Sequence, residues 1–481
     1  MPLPTPLWLC LGLPTLPLEA LGLGDSHAAC VLTSGGRDPR VLLGNRPAYA
    51  LGIAPGLRVG AAYALGDIKV YTRRESKERS AIESLAVWCG QFTSLVSLAP
   101  PDGLLLEIGK SLALFQGIEK LAEGIRAGVA ELGYQAILAI APTPLGAIFF
   151  ARARQAVCIT EVKQLLRPLS RLPLEVLGVD ERVAEALRGL GLRDLGGCLR
   201  LPRDGLARRF GPEFVSLLDR TLGRQLDPRP IFEPPARFAR LLDLPYEVDD
   251  AQALRFAARR LLLELTGFLR ARGAGTQRLD WRFVHRERRE TTLHIELVSA
   301  TRDIDRLVQL LHIRLDQLEL PEPVRALKLI VNDLCPLAGA TLALLPDAQD
   351  KNHVQSPAFL ERLRARLGRD SIRGLRLISD HRPEAAWCFC SPGEASPLFR
   401  TRPRPLWLLK QPQPLAVQEG RPRLRGPLKL LGHSERIEGG WWDGHPIARD
   451  YFVARNPAGG YFWVFREIEG NRGWFVHGVF D

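Results

Sequence analysis

Short apolar runs and helical periodicities alternate along the first 165 residues. Three continuous apolar runs predict buried strands, because they are too short for core helices and end at proline or glycine. These runs are 7–16, 101–108 and 135–143. The stretches 76–96 and 110–133 carry apolar residues at helical spacing. Strands that alternate with helices in this way predict an α/β or α+β domain over residues 1–165.

The pattern changes twice in the next 175 residues. "PLEVLGVDERVAEALRGLGLRDLGGCLRL", residues 173–201, predicts two short helices joined through glycine-containing turns, within a helical domain over 166–234. Residues 235–340 alternate basic helices such as "ALRFAARRLLLELTGFLRARG" with strands such as "TTLHIELV" and "RALKLIVND". This alternation predicts a second α+β unit.

The last third is divided into three segments. A helical extension is predicted over 341–377 and a proline-rich basic linker over 378–426, where prolines recur and basic residues outnumber acidic ones. Residues 427–481 hold short aromatic runs separated by "PAGG" and "EGNRG", which is typical of consecutive hairpins. The expected fold class is therefore a multidomain α+β protein that ends in a small antiparallel β domain.

Length and composition agree with several globular domains. A chain of 481 residues is too long for one core, and 46% hydrophobic with 25% charged residues is an ordinary globular composition. We find no apolar run of the roughly 18 residues that a membrane span needs. The apolar opening lacks a basic region and contains prolines, so we expect no signal peptide and a cytoplasmic location.

Charge and cysteine content narrow the candidate partners. The net charge of +12 favours nucleic acid, since lysines and arginines bind phosphates. The eight cysteines are scattered, and the pair Cys388 and Cys390 has no second ligand pair, so we expect buried thiols and no zinc site. No cofactor is predicted.

The turn at Gly178, Val179 and Asp180 is a candidate phosphate-binding turn between two helices. Glycine lets the backbone approach a phosphate closely, so that backbone N–H groups can donate to it. Asp180 stands where the usual second glycine would be, which leaves an ordinary helical hairpin as an open alternative. The nearby Arg188 and Arg193 favour DNA.

The stretch "LAPPDGLLLEIGKS", residues 98–111, raises the question of a metal site. Phosphoryl transfer by two metal ions needs several converging oxygens. Only Asp102 and Glu107 lie on this segment, and a regular strand would place them on opposite faces. We therefore expect Asp102 to be a turn residue rather than one of a set of metal ligands.

Two segments are candidate docking peptides. "TLALLPD" would present Leu342, Leu344 and Leu345 as apolar anchors, and "QLELP" at 317–321 is the alternative. Either could belong to a core instead. The aromatics of "GGWWDG" could stack on bases, although aromatics in a small β domain more often form its core.

The order of these parts resembles the Y-family, or lesion-bypass, DNA polymerases. The similarity is carried by "LWLCLGLPTLPLEAL", "ALGIAPGLRVGAAYAL", "PPDGLLLEIGKSLALFQG" and "LGVDERVAEALRGLGLRDLGGCLRLP". Four further phrases, "RPLWLL", "GGWWDG", "RDYFVARN" and "WFVHGVFD", are similar to a polymerase-like branch found in a bacterial mutagenesis cassette. The resemblance implies palm and fingers over 1–165, a helix-hairpin-helix thumb over 166–234 and a little finger over 235–340.

The resemblance also implies that catalysis has been lost. Active relatives carry metal-binding carboxylates at positions that fall on Cys10, Gly12, Asp102 and Gly103, so Asp102 alone remains as a vestige. The nucleotide-binding tyrosine and arginine of the fingers fall on Arg46 and Tyr49 respectively, so the resemblance implies that the triphosphate contacts are altered too. An active polymerase with other metal ligands is the alternative, and a helix-hairpin-helix nuclease subunit would need a carboxylate cluster elsewhere.

By the same resemblance the protein is an adaptor for damage-induced, error-prone synthesis. Its implied partners are damaged or primer-template DNA, the sliding clamp, a DnaE-type polymerase and a RecA-like protein, with no membrane. Leu342, Leu344 and Leu345 fall where this branch carries its clamp-binding motif. We expect salt-dependent DNA affinity from basic little-finger residues. These residues are Arg259, Arg260, Arg270 and Arg272.

Overall fold

The computed structural model describes residues 6–24, 26–287, 289–337, 359–392, 394 and 403–480. The chain divides into two compact units, Met1–Lys351 and Asn352–Asp481. The predicted fold class is confirmed: both units combine helices with sheets, and the last five-stranded sheet is antiparallel.

The first 165 residues form two sheets and the helices that cover them. In chain order the elements are β1 (Trp8–Gly12), α1 (Leu16–Glu19), β2 (Ala29–Thr33), β3 (Val41–Gly44), α2 (Arg46–Ala50), α3 (Val59–Tyr63), β4 (Ile68–Thr72), α4 (Glu75–Cys89), β5 (Val96–Ala99), β6 (Gly103–Glu107), α5 (Ile118–Glu131), β7 (Ile137–Ala141) and α6 (Pro144–Arg152). The larger sheet is antiparallel with the order β5-β6-β1-β7, and the smaller has the order β3-β2-β4.

Both faces of the larger sheet are covered, and this explains why its strands are continuous apolar runs rather than alternating ones. On one face, Leu9 and Leu104 share a core with α4 and α5. On the other face, Cys10 and Leu105 share a core with α6. The sheet is therefore the centre of this domain.

Short helices occupy most of the region from 162 to 221. They are a 3₁₀ turn (Val162–Gln164), α7 (Leu166–Leu169), a second 3₁₀ turn (Leu174–Leu177), α8 (Glu181–Gly189), α9 (Leu195–Arg200), α10 (Arg203–Phe210) and α11 (Pro212–Thr221). Their apolar side chains continue the core beneath α6. The helical region thus packs directly on the first domain.

A second α+β arrangement completes the first unit. Its elements are β8 (Phe238–Val248), α12 (Leu254–Ala271), β9 (Ala274–His285), β10 (Glu290–Thr301), α13 (Ile304–Leu315), β11 (Val324–Val331) and β12 (Cys335–Pro336). The antiparallel sheet has the order β10-β9-β11-β8, and β12 pairs with β9. Helix α12 contacts this sheet and also α4 of the first domain.

The second unit consists mainly of β structure. It contains a helix over 359–367, 3₁₀ turns at Arg369–Ser371 and Pro383–Ala385, β13 (Gly374–Leu377), β14 (Trp387–Cys390), β15 (Trp407–Pro414), β16 (Ala416–Gln418), β17 (Arg421–Arg423), β18 (Lys429–Gly439), β19 (Ile447–Arg455), β20 (Tyr461–Glu467) and β21 (Trp474–Val479). Strands β18 to β21 pair in sequence order, which confirms the predicted hairpins. Tyr451, Trp463 and Phe465 are buried in the core, whereas Trp441 and Trp442 are exposed.

The structure differs from the linker predicted over 378–426. The described part of this segment contains strands, and β15 pairs with β21 at the edge of the five-stranded sheet. The C-terminal sheet therefore begins before residue 427. Pro412 and Pro414 concealed this strand in the sequence, but proline is tolerated on an edge strand because half of its backbone groups face away from the sheet.

Two predicted helices are shorter in the structure. Helix α4 ends at Cys89, since Gly90 begins a turn that leads into β5. Helix α5 begins only at Ile118, after Gly117 adopts a φ of 114° that favours glycine. Among the described residues, no helix is long and apolar enough to cross a membrane.

Candidate functional site

The residues at which carboxylates were predicted to be lost meet at one corner of the larger sheet. Gly12 at the end of β1 lies opposite Gly103 at the start of β6. The backbone N–H of Leu13 donates to the carbonyl of Asp102 at 2.8 Å, which joins the turn before β6 to the end of β1. The structure thus brings together the two segments on which, by the resemblance, the metal-binding positions of active polymerases fall.

Cys10 is a buried thiol that favours its neutral form. Its side chain is buried between Leu105 of β6 and Ala139 of β7. Burial, with a smaller contribution from Asp102, raises the pKa of the Cys10 thiol to about 12. The thiolate, which is the form that binds metals, is therefore scarce at neutral pH.

Both glycines have close neighbours that would crowd a side chain. A Cβ atom on Gly12 would lie 3.1 Å from the Cβ of Ala151 on α6. A Cβ atom on Gly103 would lie 3.3 Å from the carbonyl oxygens of Ala99 and Leu11. A side chain at residue 12 would therefore require α6 to shift by a few tenths of an ångström.

Asp102 lies in the turn before β6, as predicted, and its nearest charges are arginines. Burial raises the pKa of the Asp102 carboxyl, while Arg152 and Arg154 oppose this effect. Arg152 donates to the carbonyl of Val176 at 3.1 Å and to that of Pro100 at 3.3 Å. Within the described residues, no three or more acidic, histidine or cysteine side chains lie together in a group that could hold a metal ion.

Glu107 has a structural environment at the other end of β6. Its Oε1 accepts hydrogen bonds from the backbone N–H groups of Leu7, at 3.2 Å, and Gly109, at 3.0 Å. The side chain is buried. These contacts tie the ends of two neighbouring strands, so Glu107 stabilises the sheet rather than extending the site at Asp102.

Arg46 and Tyr49, the two positions that the resemblance aligns with nucleotide-binding residues, lie on α2. Asn45 begins this helix, and its side chain accepts from the backbone N–H of Ala48. Tyr49 is 43% exposed, and its hydroxyl accepts from the N–H of Gly44 at 3.3 Å. Arg46 is exposed at the first turn of the same helix.

The predicted phosphate-binding turn follows the 3₁₀ turn Leu174–Leu177. Gly178 has a φ of 61°, the left-handed conformation that glycine adopts without strain. Asp180 precedes α8 without a capping hydrogen bond from its side chain. Arg188 pairs with Glu181 at 2.7 Å, and Arg193 is exposed. The turn is thus accessible, with one of its two arginines already paired.

The four arginines predicted to bind DNA from the little finger all have partners within the first unit. The pairs are Arg259 with Glu131, Arg260 with Tyr134, Arg270 with Gln91, and Arg272 with the carbonyl of Pro235. Three of these partners belong to the first domain. The DNA-binding role of the four arginines stays a prediction.

The candidate clamp motif, Leu342, Leu344 and Leu345, lies outside the described residues. The alternative at 317–321 directly follows α13, whose last residue is Leu315. The cysteines differ in part from the prediction of buried thiols: Cys158 is exposed, and Cys388 and Cys390 are half-buried.

Arg152 contacts this corner but was not among the predicted site residues. Nothing in the sequence around it indicates these contacts, because the carbonyls that it reaches are 24 and 52 residues away. Only the structure shows that Arg152 also approaches Gly178, where a Cβ atom would lie 2.6 Å from the Nη1 of Arg152.

No family model matches the chain. Two curated relatives, the proteins ImuB from Caulobacter vibrioides strains NA1000 / CB15N and ATCC 19089 / CIP 103742 / CB 15, are each 27% identical over 457 residues; the match covers 89% of this chain and 100% of the relative. Solved structures with similarity include DinB from Sulfolobus solfataricus, with a TM-score of 0.38, and an insertion ternary complex of Dbh DNA polymerase, with a TM-score of 0.39. Each of these two solved chains is 15% identical to this chain, and the match covers 69% of this chain and 100% of the solved chain.

Proposed function

We propose that this chain, which is similar to ImuB over 89% of its length, is a non-catalytic, polymerase-like adaptor in error-prone translesion DNA synthesis and DNA repair. In this proposal it binds damaged or primer-template DNA without extending the primer. The observation that carries the proposal is the corner of β1, β6 and α6, where Asp102 is the one carboxylate among four candidate positions. The chain would therefore contribute binding rather than chemistry.

The chemistry of nucleotide transfer supports this proposal. Metal ions bridge the phosphates and neutralise the charge that develops during transfer, and several protein oxygens must hold them. Cys10 is a buried neutral thiol, and the space beside Gly12 is occupied by Ala151. Without bound ions, transfer should be slower by many orders of magnitude.

DNA binding is proposed for the thumb and the little finger. Gly178, Val179 and Asp180 would bring backbone N–H groups to a phosphate, and Arg188 with Arg193 would add charge. The net charge of +12 supports an affinity that falls as salt rises.

The partners are proposed from the similarity to ImuB. Leu342, Leu344 and Leu345 would fill an apolar pocket of the sliding clamp. A DnaE-type error-prone polymerase and the RecA-like protein ImuA would be recruited by the second unit. The complex would act in the cytoplasm, at the nucleoid, in the SOS response to DNA damage.

The deciding experiment is primer extension by the purified protein alone. We expect no extension of an undamaged primer-template with magnesium or manganese and all four nucleotides, because the metal ligands are missing. DNA binding, measured by fluorescence anisotropy on the same sample, should be clear and should weaken with salt.

An Asp102→Ala variant serves as the control for contamination. Extension that persists unchanged in this variant does not depend on Asp102 and comes from a contaminating polymerase or from other acidic groups of this chain. Extension by the wild-type chain that Asp102→Ala abolishes would contradict the adaptor proposal and support an active lesion-bypass polymerase instead.

A further inference from the structure

The exposed tryptophans of this chain all belong to the second unit. The nine tryptophans lie among the described residues, and four of them are exposed. Trp441 is 80% exposed and its neighbour Trp442 is 55% exposed, with the two ring centroids 5.4 Å apart. Tryptophan is mostly buried in folded domains, so an adjacent exposed pair indicates a binding surface rather than a part of the core.

The paired tryptophans lie on a loop that is closed tightly at its base. We define the tryptophan loop as residues 440–446, which join β18 to β19 where Gly439 pairs with Ile447. The carbonyl of Gly440 accepts from the N–H of His445 at 3.1 Å, and Gly440 has a φ of 84°. A Cβ atom on Gly440 would collide with the carbonyl of His445, so this closure requires glycine.

A buried arginine fixes the tryptophan loop to the connection between β13 and β14. Arg382 donates to both carboxylate oxygens of Asp443, at 3.0 and 2.5 Å, and to the carbonyl of His445 at 3.3 Å. It also pairs with Asp380 at 2.8 Å, and its guanidinium lies 5.5 Å from the centroid of the Trp442 ring. Such charge-assisted bonds have a specific geometry. The two indole rings are therefore presented on a preorganised loop, which lowers the entropy cost of binding.

The charge around the tryptophan loop is acidic, although the unit is basic. The second unit contains 20 lysines and arginines against 13 acidic residues, but segments 378–386 and 436–450 contain three arginines against five acidic residues. Each of these arginines is paired with a carboxylate. Two further carboxylates, those of Glu438 and Asp443, are exposed. A phosphate backbone would be repelled here, so the loop fits a protein better than a nucleic acid.

We propose that the tryptophan loop is the site at which the second unit binds a partner protein, one that offers an apolar pocket rimmed by lysines or arginines. The indole rings enter the pocket, as aromatic anchors do at the centre of protein interfaces. Glu438 and Asp443 face the basic rim and set the orientation of the partner. This inference rests on the partner recruitment proposed above and assigns that recruitment to one loop.

Substitution of the two tryptophans in the full-length chain tests the proposal. The probes are a purified, labelled DnaE-type polymerase and, separately, a purified, labelled RecA-like protein. We expect Trp441→Ala with Trp442→Ala to weaken binding of at least one probe about thirtyfold, as loss of an interface anchor does. Trp407→Ala is the matched control, because Trp407 is an exposed tryptophan on β15, at the opposite edge of the sheet from β18. It should bind both probes as the wild-type chain does.

A charge reversal distinguishes a protein partner from a nucleic acid. Glu438→Lys places a cation against the basic rim, so we expect it to weaken binding of the same probe about three- to tenfold. At a nucleic-acid site the same substitution would tighten binding instead. Glu419→Lys is the matched control, since Glu419 is an exposed residue between β16 and β17 and the charge change is identical. Equal effects of the two substitutions would show a general charge effect and contradict the proposal.

The outcomes separate this inference from the proposed function. Equal affinity of the double-alanine variant and the wild-type chain for both probes overturns the role of the loop and leaves partner recruitment intact. The proposal is also wrong if this variant keeps both probes but loses binding of a labelled single-stranded oligonucleotide, or loses self-association in analytical ultracentrifugation. If the wild-type chain binds neither probe, partner recruitment fails and this inference fails with it.

The midpoint of urea denaturation checks that the variants are folded. We expect it to be unchanged by the double-alanine substitution, because both side chains are exposed. If the midpoint falls, Glu438→Lys decides the question, since it leaves both tryptophans in place. Unweakened probe binding by Glu438→Lys would then overturn the proposal.

Discussion

At the scale of single residues, Cys10 and Gly12 show how the corner of β1, β6 and α6 differs from a metal site. Cys10 is 2% exposed, so a carboxylate there would lose its hydration without gaining a cation. A Cβ atom on Gly12 would lie 3.1 Å from the Cβ of Ala151, a close contact. Packing as well as residue identity therefore disfavours a carboxylate at these two positions.

This packing predicts that restoring a carboxylate destabilises the protein. We expect Cys10→Asp to lower the free energy of unfolding by about 3 kcal/mol or more. The buried carboxylate must either stay charged without hydration or bind a proton far above its ordinary pKa, and both cost free energy. Cys10→Ala, which removes the sulfur without adding charge, should cost about 1 kcal/mol. Urea denaturation followed by circular dichroism measures both; equal midpoints for the two variants would contradict the buried position of Cys10.

At the scale of the element, helix α5 carries two glycines with different surroundings. A Cβ atom on Gly128 would meet the Trp88 ring at 2.3 Å, whereas one on Gly124 would meet Phe92 at an ordinary 3.7 Å. Both positions are helical, so alanine gains up to about 1 kcal/mol of helix propensity at each. Only packing distinguishes them.

We therefore expect opposite effects from the same substitution on one helix. Gly128→Ala should destabilise the protein by about 1 to 3 kcal/mol through overpacking against Trp88. Gly124→Ala, the matched control, should stabilise it by about 0.5 to 1 kcal/mol. The midpoints of urea denaturation report both changes, and a stabilising Gly128→Ala would show that α4 and α5 are further apart than described.

At the scale of the whole molecule, the chain consists of two units that divide near residue 351. The second unit contains 20 lysines and arginines against 13 acidic residues, so both units are basic. A truncation after Pro427 would remove β18 to β21 and leave β15 without its sheet. A truncation after Lys351 keeps the first unit whole.

This division predicts separable functions. A chain ending at Lys351 should bind primer-template DNA within about threefold of the full-length affinity, but should no longer recruit a DnaE-type polymerase. The full-length variant Leu342→Ala with Leu345→Ala should likewise keep DNA binding unchanged, but should lose association with the clamp. Anisotropy and co-purification measure these properties, after circular dichroism has checked folding; DNA binding that is lost with the second unit would contradict this assignment.

The sequence by itself determined the kinds of elements and the absence of carboxylates at residues 10, 12 and 103. Continuous apolar runs predicted β1, β6 and β7, and alternating aromatic runs predicted the hairpins of β18 to β21, because these signals come from neighbouring residues. Residue identity alone showed that Cys10, Gly12 and Gly103 are not carboxylates. The similarity to ImuB was also present in local phrases.

The tertiary structure alone decided which residues are partners. Periodicity indicates that a helix face is buried but not what covers it. Nothing in the sequence of α12 therefore revealed that this helix packs on α4 as well as on its own sheet. Arg259 meets Glu131 across 128 residues, and Glu264 meets Ser84 across 180. Such contacts depend on how complete domains pack, and the free energy of that packing cannot be predicted from any short segment of the chain.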